Sequence, residues 1–319
     1  MELTVGVVSY NTRDLTCRCL GSALKTMHQR PGLVVLADNG STDGTLEAVA
    51  AAFPDVVRLS FPENPGYGGA LNRILARHPA RFFLAMNADV LMAEDGMIPL
   101  LAHLENHPEC ALVGPRLAGK DGQPQESCKR FPTLGFAFAE LFALNAMLPE
   151  SWWLRRFYYG DQDLTRPLGV DTVSGAVMLI REEAFRRIGG FDEGFRMYFE
   201  ETDLCRRLQD AGYRVALCPQ ATAVHWHGAS TIQTAVRQVE YYLSYVRFFR
   251  KHHGPGAARI LKAAVLVSTG LRMLALPMKY PPVSRRRLDV LLPKLAACRR
   301  LLGALCPPAI RRASTETRP

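Results

Sequence analysis

The sequence lacks long hydrophobic runs and a recognisable export signal. A helix that spans a bilayer needs about 18 or more consecutive apolar residues, and no uncharged apolar stretch of that length occurs in this chain. The first residues, MELTVGVVSYN, have neither a basic start nor a cleavable apolar core, so they do not resemble a signal peptide. We therefore expect a cytoplasmic protein without a membrane-spanning helix.

Cysteine is present, but not in the patterns that bind structural zinc. The chain has 8 cysteines and no C-x-x-C pair, whereas structural zinc sites use closely spaced cysteine and histidine pairs. Thiols of cytosolic proteins stay reduced. We therefore expect neither a zinc site nor a disulfide framework.

The overall composition is that of an ordinary folded protein. The chain has 319 residues, of which 48% are hydrophobic and 22% are charged. These values exclude a wholly disordered chain, a collagen-like fibre and a coiled-coil rod. The length leaves room for one large domain or two modest ones.

Positive charge is concentrated at one end of the chain. Residues 237–319 contain 17 Lys/Arg and 3 Asp/Glu, whereas residues 1–236 contain 22 Lys/Arg and 27 Asp/Glu. The net charge of +9 therefore combines a mildly acidic body with a strongly basic tail. Such asymmetry indicates that the tail meets an anionic partner.

The first 120 residues alternate between strand-like and helix-like patterns. Four β-branched or continuously apolar runs are separated by segments with helical spacing, namely Leu3–Tyr10, Val34–Ala37, Val56–Phe61 and Arg81–Met86. Strands of this kind that alternate with helices are typical of a parallel sheet covered on both faces. The pattern predicts an α/β fold. A loop-rich, aromatic region follows at 119–170.

Polar residues and glycines follow each of the four predicted strands. The strand ends read SYN, DNGSTDG, NPGYGG and NAD. Ligands of open α/β sheets bind beyond the carboxyl ends of the strands, where glycine allows close approach of the backbone and a helix start offers free N–H groups. Each segment alone is also an ordinary turn; together, in this order, they predict a ligand crevice.

The complete set of motifs resembles a known family. In chain order the motifs are VSYN, ADNGSTDG, NPGYGGALN, MNAD, VSGAVMLIR, GGFDEGFRMYFEETDLCRRL and VHWHGAS. They resemble the inverting nucleotide-sugar glycosyltransferases of family two, and most closely the rhamnosyltransferase-like branch. The resemblance covers roughly residues 3–232 and leaves the basic tail outside it.

The resemblance implies a fold and a donor site. It implies a GT-A fold, with a mostly parallel Rossmann-like sheet and helices on both faces. Residues 1–236 would form this domain, with a nucleotide-sugar half at about 1–118 and an acceptor half at 119–236. The donor would be a dTDP- or UDP-linked sugar, bound by the residues that match the family's motifs: Ser9, Tyr10, Asn11, Asp38, Asn64, Gly66, Asn72 and Asn87.

The resemblance also implies a metal site and a catalytic base. Asp89 matches the second position of the family's D-x-D motif, whose first position is Asn87 here, and His225 matches a histidine that completes the metal shell in some relatives. Oxygen ligands suit Mg²⁺ or Mn²⁺, and imidazole suits Mn²⁺ better. The base would be Glu201, where most relatives have Asp, with Glu200 as the alternative. Sugar or acceptor contacts would come from Ser174, Gly175 and Asp192.

Each of these acidic residues also has an ordinary structural explanation. Glu200, Glu201 and Asp203 at a helix start favour the helix dipole whatever the function. We expect Asp203 to hold Arg206, Arg207 or a backbone amide. The joint occurrence of the motifs, and no single residue, carries the functional interpretation.

The basic tail, residues 237–319, is predicted to be helical. Tyr241, Tyr242, Tyr245, Phe248 and Phe249 form one aromatic stripe. Three interpretations stay open: an amphipathic pair of helices on the anionic inner face of the cell membrane, a packing or homodimerisation element, or binding to nucleic acid by charge. No nucleic-acid motif accompanies the charge, so we expect no nucleic-acid partner.

The sequence therefore predicts an inverting, metal-dependent glycosyltransferase of polysaccharide or cell-wall biosynthesis. It would pass a sugar, with rhamnose as the leading candidate, to a glycan or glycolipid. One alternative is a sugar nucleotidyltransferase, although VSYNTRDLT lacks the Gly-rich basic loop typical of that class. The other is a catalytically inactive scaffold with the same fold at a membrane surface.

Overall fold

The structure is a computed structural model that describes residues 1–27, 31–144, 151–226, 234–279 and 286–305. Within these ranges the strands are Leu3–Ser9 (β1), Gly32–Asp38 (β2), Val57–Ser60 (β3), Phe82–Asn87 (β4), Val90–Met92 (β5), Cys110–Ala118 (β6), Cys128–Lys129 (β7), Leu168–Gly169 (β8), Thr172–Val173 (β9), Val177–Arg181 (β10) and Arg214–His225 (β11).

The helices of the same ranges cover both faces of the sheet and form the C-terminal extension. They are Arg13–Thr26 (α1), Thr45–Ala52 (α2), Gly66–Arg77 (α3), Met97–Asn106 (α4), Leu134–Leu141 (α5), Trp152–Phe157 (α6), Glu182–Arg187 (α7), Glu200–Asp210 (α8), Thr234–His252 (α9), Gly254–Lys279 (α10) and Arg286–Leu305 (α11).

The central sheet has the strand order β3-β2-β1-β4-β10-β6-β11-β5, and β8 pairs with β11. The first four strands in this order are parallel to one another. β10 runs antiparallel between β4 and β6, and β11 is parallel to β6. The prediction of a mostly parallel α/β sheet is confirmed, including the four N-terminal strands.

Two apolar layers cover the sheet because side chains alternate along each strand. In β4, Leu84 belongs to the layer beneath α1 and α4, whereas Phe83 belongs to the layer beneath α3 and α8. Continuous apolar runs such as GLVVLA and FFLAM are explained by this burial on both faces. The carboxyl ends of β1, β2 and β4 lie side by side, because Ser9 is the register partner of Asp38 and Val8 is the register partner of Asn87.

The loop-rich, aromatic region is a packed excursion from the sheet. Phe136 of α5 stacks on Phe157 of α6 with ring centroids 3.5 Å apart. Lys129 lies in a small second sheet, in which β7 pairs with β9. This excursion therefore brings a lysine and an aromatic cluster to the side of the sheet that carries α8.

The described part of the tail, residues 237–279 and 286–305, is helical, as predicted, and four of the five aromatic residues of its stripe are buried. Tyr242, Tyr245, Phe248 and Phe249 of α9 lie in a third apolar cluster together with Phe195 and Phe199 of the preceding domain. The predicted boundary at 236/237 lies inside α9, which begins at Thr234. The stripe therefore packs against the protein itself. Among the described residues, no helix combines the length and the apolar character that crossing a bilayer requires.

Candidate active site

Asp38 holds the loop that follows β2. Its side chain is fully buried, and it accepts hydrogen bonds from the hydroxyl of Ser9 at 2.8 Å and from the backbone N–H and hydroxyl of Ser41 at 2.8 and 2.5 Å. A carboxylate can accept several such bonds. Asp38 therefore fixes the strand end and its turn, and its predicted contact with the donor remains a prediction.

Asn11 ties the β1 end to the same turn and borders an open cavity. Its backbone N–H donates to Ser41 Oγ at 2.8 Å, and its side-chain oxygen accepts from the backbone N–H of Thr42 at 2.7 Å. The neighbouring Tyr10 is 36% exposed. A cavity of about 400 Å³ is lined by Asn11, Thr12, Arg13, Asp14, Leu15 and Asp43. This cavity lies at the nucleotide end of the predicted donor site.

The NPGYGG segment makes a tight turn against a distant loop. The side-chain oxygen of Asn64 accepts from the N–H of Gly66 at 3.2 Å. Gly66 has a φ of +79°, and a Cβ there would lie 2.6 Å from the carbonyl oxygen of Arg196. Glycine is therefore required at this position both for the backbone angle and for the close approach.

Asn72, on the helix after this turn, pairs with the backbone of Phe191. Its side-chain oxygen accepts from the Phe191 N–H at 2.9 Å, and its amide donates to the Phe191 carbonyl at 3.0 Å. This two-way contact anchors the segment that carries Asp192. Asn72 thus has a structural contact, and its predicted contact with the donor remains a prediction.

Tyr67 joins the donor turn to the opposite wall of the crevice. Its hydroxyl donates to the carbonyl oxygen of Gly175 at 2.7 Å. The pKa of Tyr67 is raised well above its ordinary value, first by burial and then by the negative charges of Glu200, Glu201 and Asp89. The charges of Asp89 and of the adjacent pair Glu200 and Glu201, which lie more than a hundred positions apart in sequence, therefore act on one phenol.

Asp89 and His225 meet at the edge of this crevice. His225 Nε2 lies 3.4 Å from Asp89 Oδ1, and Asn87 ends the strand two residues before Asp89. On its other side, His225 Nδ1 lies 3.2 Å from Gln125 Oε1, while the amide of Gln125 donates to the His225 carbonyl at 3.0 Å. Because the amide nitrogen is engaged with that carbonyl, the oxygen must face Nδ1, which assigns the proton to Nδ1.

This donor set fits a divalent cation held together with other oxygens. When the ring is neutral with its proton on Nδ1, Nε2 and the Asp89 carboxylate both offer lone pairs, and these two residues could hold a divalent cation together. Metal-binding histidines commonly donate their other N–H to a carbonyl in this way. No group of three or more His, Cys, Asp or Glu side chains suited to a metal occurs in the described residues. His227 lies outside the described residues.

Glu201 is oriented by two hydrogen bonds. Lys129 Nζ lies 3.2 Å from Glu201 Oε1, and the hydroxyl of Thr202 donates to the same oxygen at 2.9 Å. The pKa of Lys129 is raised: burial opposes its charge, but the Glu201 carboxylate and the hydrogen bond to it outweigh that effect. The lysine therefore stays a cation that faces this carboxylate.

Glu200, which is adjacent to Glu201 in sequence, has surroundings that favour its protonated form. It is 8% exposed, and its Oε2 has no hydrogen-bond partner among the described residues. Burial, followed by the negative charge of Glu201, raises its pKa. Two adjacent carboxyls thus differ in environment: Glu200 favours the protonated form, and Glu201 has the cationic partner.

A turn with a strained backbone precedes Glu200 and Glu201 and fixes their position. Tyr198 and Phe199, which precede α8, both have a φ of +66°, a conformation that costs non-glycine residues energy and occurs where the surroundings enforce it. Phe199 stacks on Tyr245 of α9 at 4.7 Å, and Ser244 donates to the carbonyl of Met197 at 2.8 Å. The first tail helix therefore supports the backbone that positions Glu200 and Glu201.

The three predicted acceptor residues lie in different surroundings. A Cβ on Gly175 would lie 3.3 Å from Glu201 Cβ, so Gly175 borders the proposed base. Ser174, the residue before it, accepts a hydrogen bond from the N–H of Ala176 through its Oγ. Asp192 instead binds Arg247 and Lys251 of α9 at 2.9 and 2.8 Å. Burial acts to raise the pKa of Asp192, but the hydrogen bonds and charges of these partners outweigh it and lower the pKa to about 2.

Comparison with known proteins identifies the family. A sequence profile of glycosyl transferase family 2 matches residues 4–189, and a profile of glycosyl transferase family group 2 matches residues 144–292. The chain belongs to glycosyl transferase family 2. It is therefore a glycosyltransferase of the rhamnosyltransferase-like kind, and the sugar nucleotidyltransferase alternative is dropped.

Individual relatives agree with this membership. The glycosyltransferase is 32% identical over 243 residues to an N-acetylglucosaminyl-diphospho-decaprenol L-rhamnosyltransferase of Mycobacterium tuberculosis, covering 72% of this chain and 77% of the relative. It is 30% identical over 149 residues to the rhamnosyltransferase WbbL of Escherichia coli, covering 46% and 52%. Both names match the branch predicted from the motifs.

A solved structure shows the same fold. A mannosyltransferase from Pyrobaculum calidifontis, solved in complex with GDP-Man and Mn²⁺, superposes on this glycosyltransferase with a TM-score of 0.56 and 18% identity, covering 94% of this chain and 87% of that one. At this identity the likeness shows the fold alone. The predicted GT-A fold is confirmed.

Three residues of the site were not predicted from the sequence. Lys129 pairs with Glu201, Gln125 pairs with His225, and Tyr67 links the two walls of the crevice. Tyr67 stands inside a quoted motif, but Lys129 and Gln125 lie in the loop-rich region, where spacing gives no signal. The fold alone brings them to the site of this glycosyltransferase.

Proposed function

We propose that this glycosyltransferase is an inverting enzyme that uses Glu201 as its base and transfers a sugar from a nucleoside diphosphate to an acceptor hydroxyl. The observation that carries the proposal is that the base candidates and the cation candidates meet at residues 175–176. A Cβ on Gly175 would lie 3.3 Å from Glu201 Cβ, and the N–H of Asn87, two residues before Asp89, donates to the carbonyl oxygen of Ala176 at 3.0 Å. The cation candidates and the base candidates therefore share one crevice.

The reaction follows from one base and one leaving group. The Glu201 carboxylate would accept the proton of the acceptor hydroxyl while that oxygen forms a bond to the anomeric carbon. The bond from the anomeric carbon to the diphosphate oxygen breaks at the same time, and its electron pair leaves with the nucleoside diphosphate. A single displacement inverts the anomeric centre, and general-base catalysis of this kind contributes about 10²–10⁴ in rate.

Glu201 is favoured over Glu200 by its surroundings. Lys129 offers Glu201 a positive charge at 3.2 Å, so the ionised form is supported by a partner. Glu200 is buried with an unpaired oxygen and a raised pKa. A carboxyl that tends to keep its own proton is the weaker candidate for taking one from an acceptor.

Asp89 and His225 would hold Mg²⁺ or Mn²⁺, with Gln125 fixing the histidine tautomer. When bound, such a cation supplies positive charge that stabilises the departing diphosphate. Two protein ligands leave room for diphosphate oxygens, which agrees with Asn87 in place of a first aspartate. The Mn²⁺ complex of the mannosyltransferase that shares this fold supports this choice of ion.

The donor is proposed to be a dTDP- or UDP-linked sugar, with rhamnose as the first candidate. The names of the Mycobacterium tuberculosis and Escherichia coli relatives support rhamnose. The first of these names also supports a lipid-linked acceptor, so we propose a glycan attached to a lipid diphosphate. A location at the inner face of the cell membrane remains a prediction that accords with this acceptor.

A thermal-shift panel tests the donor and cation site. UDP, dTDP and GDP are added with and without Mn²⁺ to the wild type and to Asp89→Asn. A ligand at 100 times its dissociation constant adds about 2.7 kcal/mol to the unfolding free energy. We expect UDP or dTDP to stabilise the wild type in a Mn²⁺-dependent manner and Asp89→Asn to lose that dependence. Equal shifts in both proteins would contradict the assignment of Asp89.

A further inference from the structure

Most of the large exposed apolar side chains lie in two segments of the chain. Ten large hydrophobic side chains are exposed among the described residues, and seven of them lie within residues 138–152 and 260–274. Single exposed apolar residues are normal, but an extended apolar patch marks an interaction surface. The uneven distribution therefore calls for a partner.

The largest group of these side chains forms one face of α10. Ile260, Val267, Leu271 and Leu274 are 50%, 56%, 53% and 74% exposed. Their spacing of seven, four and three residues places them on one side of a helix. We call these four side chains the α10 apolar face.

The opposite side of α10 packs on the protein, so the helix has a fixed orientation. Leu261 and Val265 are fully buried in the third apolar cluster, together with Leu141 of α5. Arg272 donates to the carbonyl oxygen of Leu141 at 2.8 Å. α10 is therefore held against α5 by its buried side, while the α10 apolar face points outward.

The chain segment that carries this face has charged side chains of one sign. Residues 241–288 contain ten Lys/Arg and no Asp or Glu. Arg259 is exposed beside Ile260, and Lys262 is half-buried. An apolar face edged by cations, with no anion along the segment, complements a bilayer that carries anionic lipid.

We propose that the α10 apolar face docks this glycosyltransferase on the surface of an anionic phospholipid bilayer. The helix would lie along the surface, because Lys262 and Arg272 interrupt its apolar residues and it does not qualify as a membrane span. The inference rests on the proposed function for its purpose, since a lipid-linked acceptor has to be reached at a membrane. It differs from the sequence-based expectation, because the aromatic stripe of α9 is buried and takes no part.

Vesicle flotation of the full chain tests the proposal. The probes are phosphatidylcholine vesicles with and without 30% phosphatidylglycerol (roughly the anionic fraction that attracts basic segments). The variants are Leu271→Glu/Leu274→Glu and, one to two turns away, Ile260→Glu/Val267→Glu. Ile98→Glu is the matched control, because Ile98 is similarly exposed at 45% but lies on α4.

We expect the wild type to float with the anionic vesicles and each double variant to bind them at least about tenfold more weakly. Ile98→Glu should bind like the wild type, and thermal unfolding of all variants should match, because the replaced side chains are exposed. Failure of the wild type to bind anionic vesicles would overturn the proposal, as would undiminished binding by both double variants.

Self-association is the competing occupant of the face and is measured on the same proteins. A double variant that turns a dimer into a monomer in light scattering but still floats with vesicles would overturn membrane docking. Hydrolysis of the UDP- or dTDP-linked donor in solution separates this test from the proposed function. Donor hydrolysis should persist in the double variants. Its absence in the wild type would count against the proposed function, whereas the vesicle measurement would still test membrane docking.

Discussion

Replacing Lys129 with methionine removes the cation that faces the proposed base. The Lys129 ammonium lies 3.2 Å from Glu201 Oε1, and the negative charges of Glu126 and Glu140 also act on it. Methionine keeps most of the length of the side chain and its apolar contacts but carries no charge. The substitution therefore tests whether the charge of Lys129 sustains the carboxylate form of Glu201.

The magnitude of the effect follows from Coulomb's law and the exposure of the pair. At 3.2 Å with an effective dielectric constant of about 20, the gross attraction is about 5 kcal/mol. The Lys129 side chain is 34% exposed, so solvent screens the pair and reduces the net effect to about 1–2 kcal/mol. Since about 1.4 kcal/mol corresponds to a factor of ten, activity on the acidic limb of the rate profile should fall by roughly tenfold.

The assay is the pH dependence of kcat/KM for release of nucleoside diphosphate from the donor. We expect Lys129→Met to lose activity most strongly at acidic pH and to recover part of it at alkaline pH. Lys129→Arg should keep the wild-type profile, and Lys120→Met, at an exposed turn, should be neutral. A uniform loss at every pH, with the limb unmoved, would refute the electrostatic role of Lys129.

Three further outcomes are expected. Folding raises the pKa of Glu200, so the unfolded chain releases this proton at a lower pH than the folded chain. The unfolding free energy should therefore fall as pH rises above about 4.3, by about 1.4 kcal/mol for each unit by which folding raises the pKa. Glu200→Gln should flatten that fall in denaturant titrations at pH 5 and 8.5, and parallel curves would contradict the assignment. Asp203→Asn should destabilise the protein by about 3–5 kcal/mol, because Asp203 is fully buried and binds Arg207, Lys251 and His252. The control Asp210→Asn, at an exposed carboxylate, should cost under about 1 kcal/mol. Similar melting temperatures for the two variants would refute the stabilising role of the ion pairs that Asp203 of α8 makes with α9. Gln125→Leu should weaken Mn²⁺ binding in the presence of UDP by roughly 10–100-fold in calorimetry, because it removes the group that fixes the His225 tautomer. An unchanged affinity would refute this role of Gln125.

The sheet could be predicted because its signals are local. Continuous apolar runs and the polar turns after them are properties of neighbouring residues, so β1, β2 and β4 and the helix at Glu200 could be located from the sequence. The sequence predicts that Asp203 holds Arg206, Arg207 or a backbone amide, and the structure pairs it with Arg207, one helical turn away. The family membership rested on the order of the motifs and is confirmed.

The remainder of the site depends on contacts between distant parts of the chain. Lys129 reaches Glu201 across 72 positions, and Gln125 reaches His225 across 100. No spacing rule connects such residues. The aromatic stripe of α9 also depends on distant contacts. Its amphipathic pattern predicts an apolar face but does not determine whether protein or lipid covers that face.

The most direct test of the central claim compares Glu201→Gln with Glu200→Gln in transfer to a glycan acceptor. Nucleoside diphosphate binding, followed by thermal shift, should be preserved in both, because neither side chain is assigned to the donor. We expect Glu201→Gln to lower kcat for transfer by about 10²–10⁴-fold and Glu200→Gln to keep most of the activity. Full transfer by Glu201→Gln together with loss in Glu200→Gln would contradict the assignment of the base.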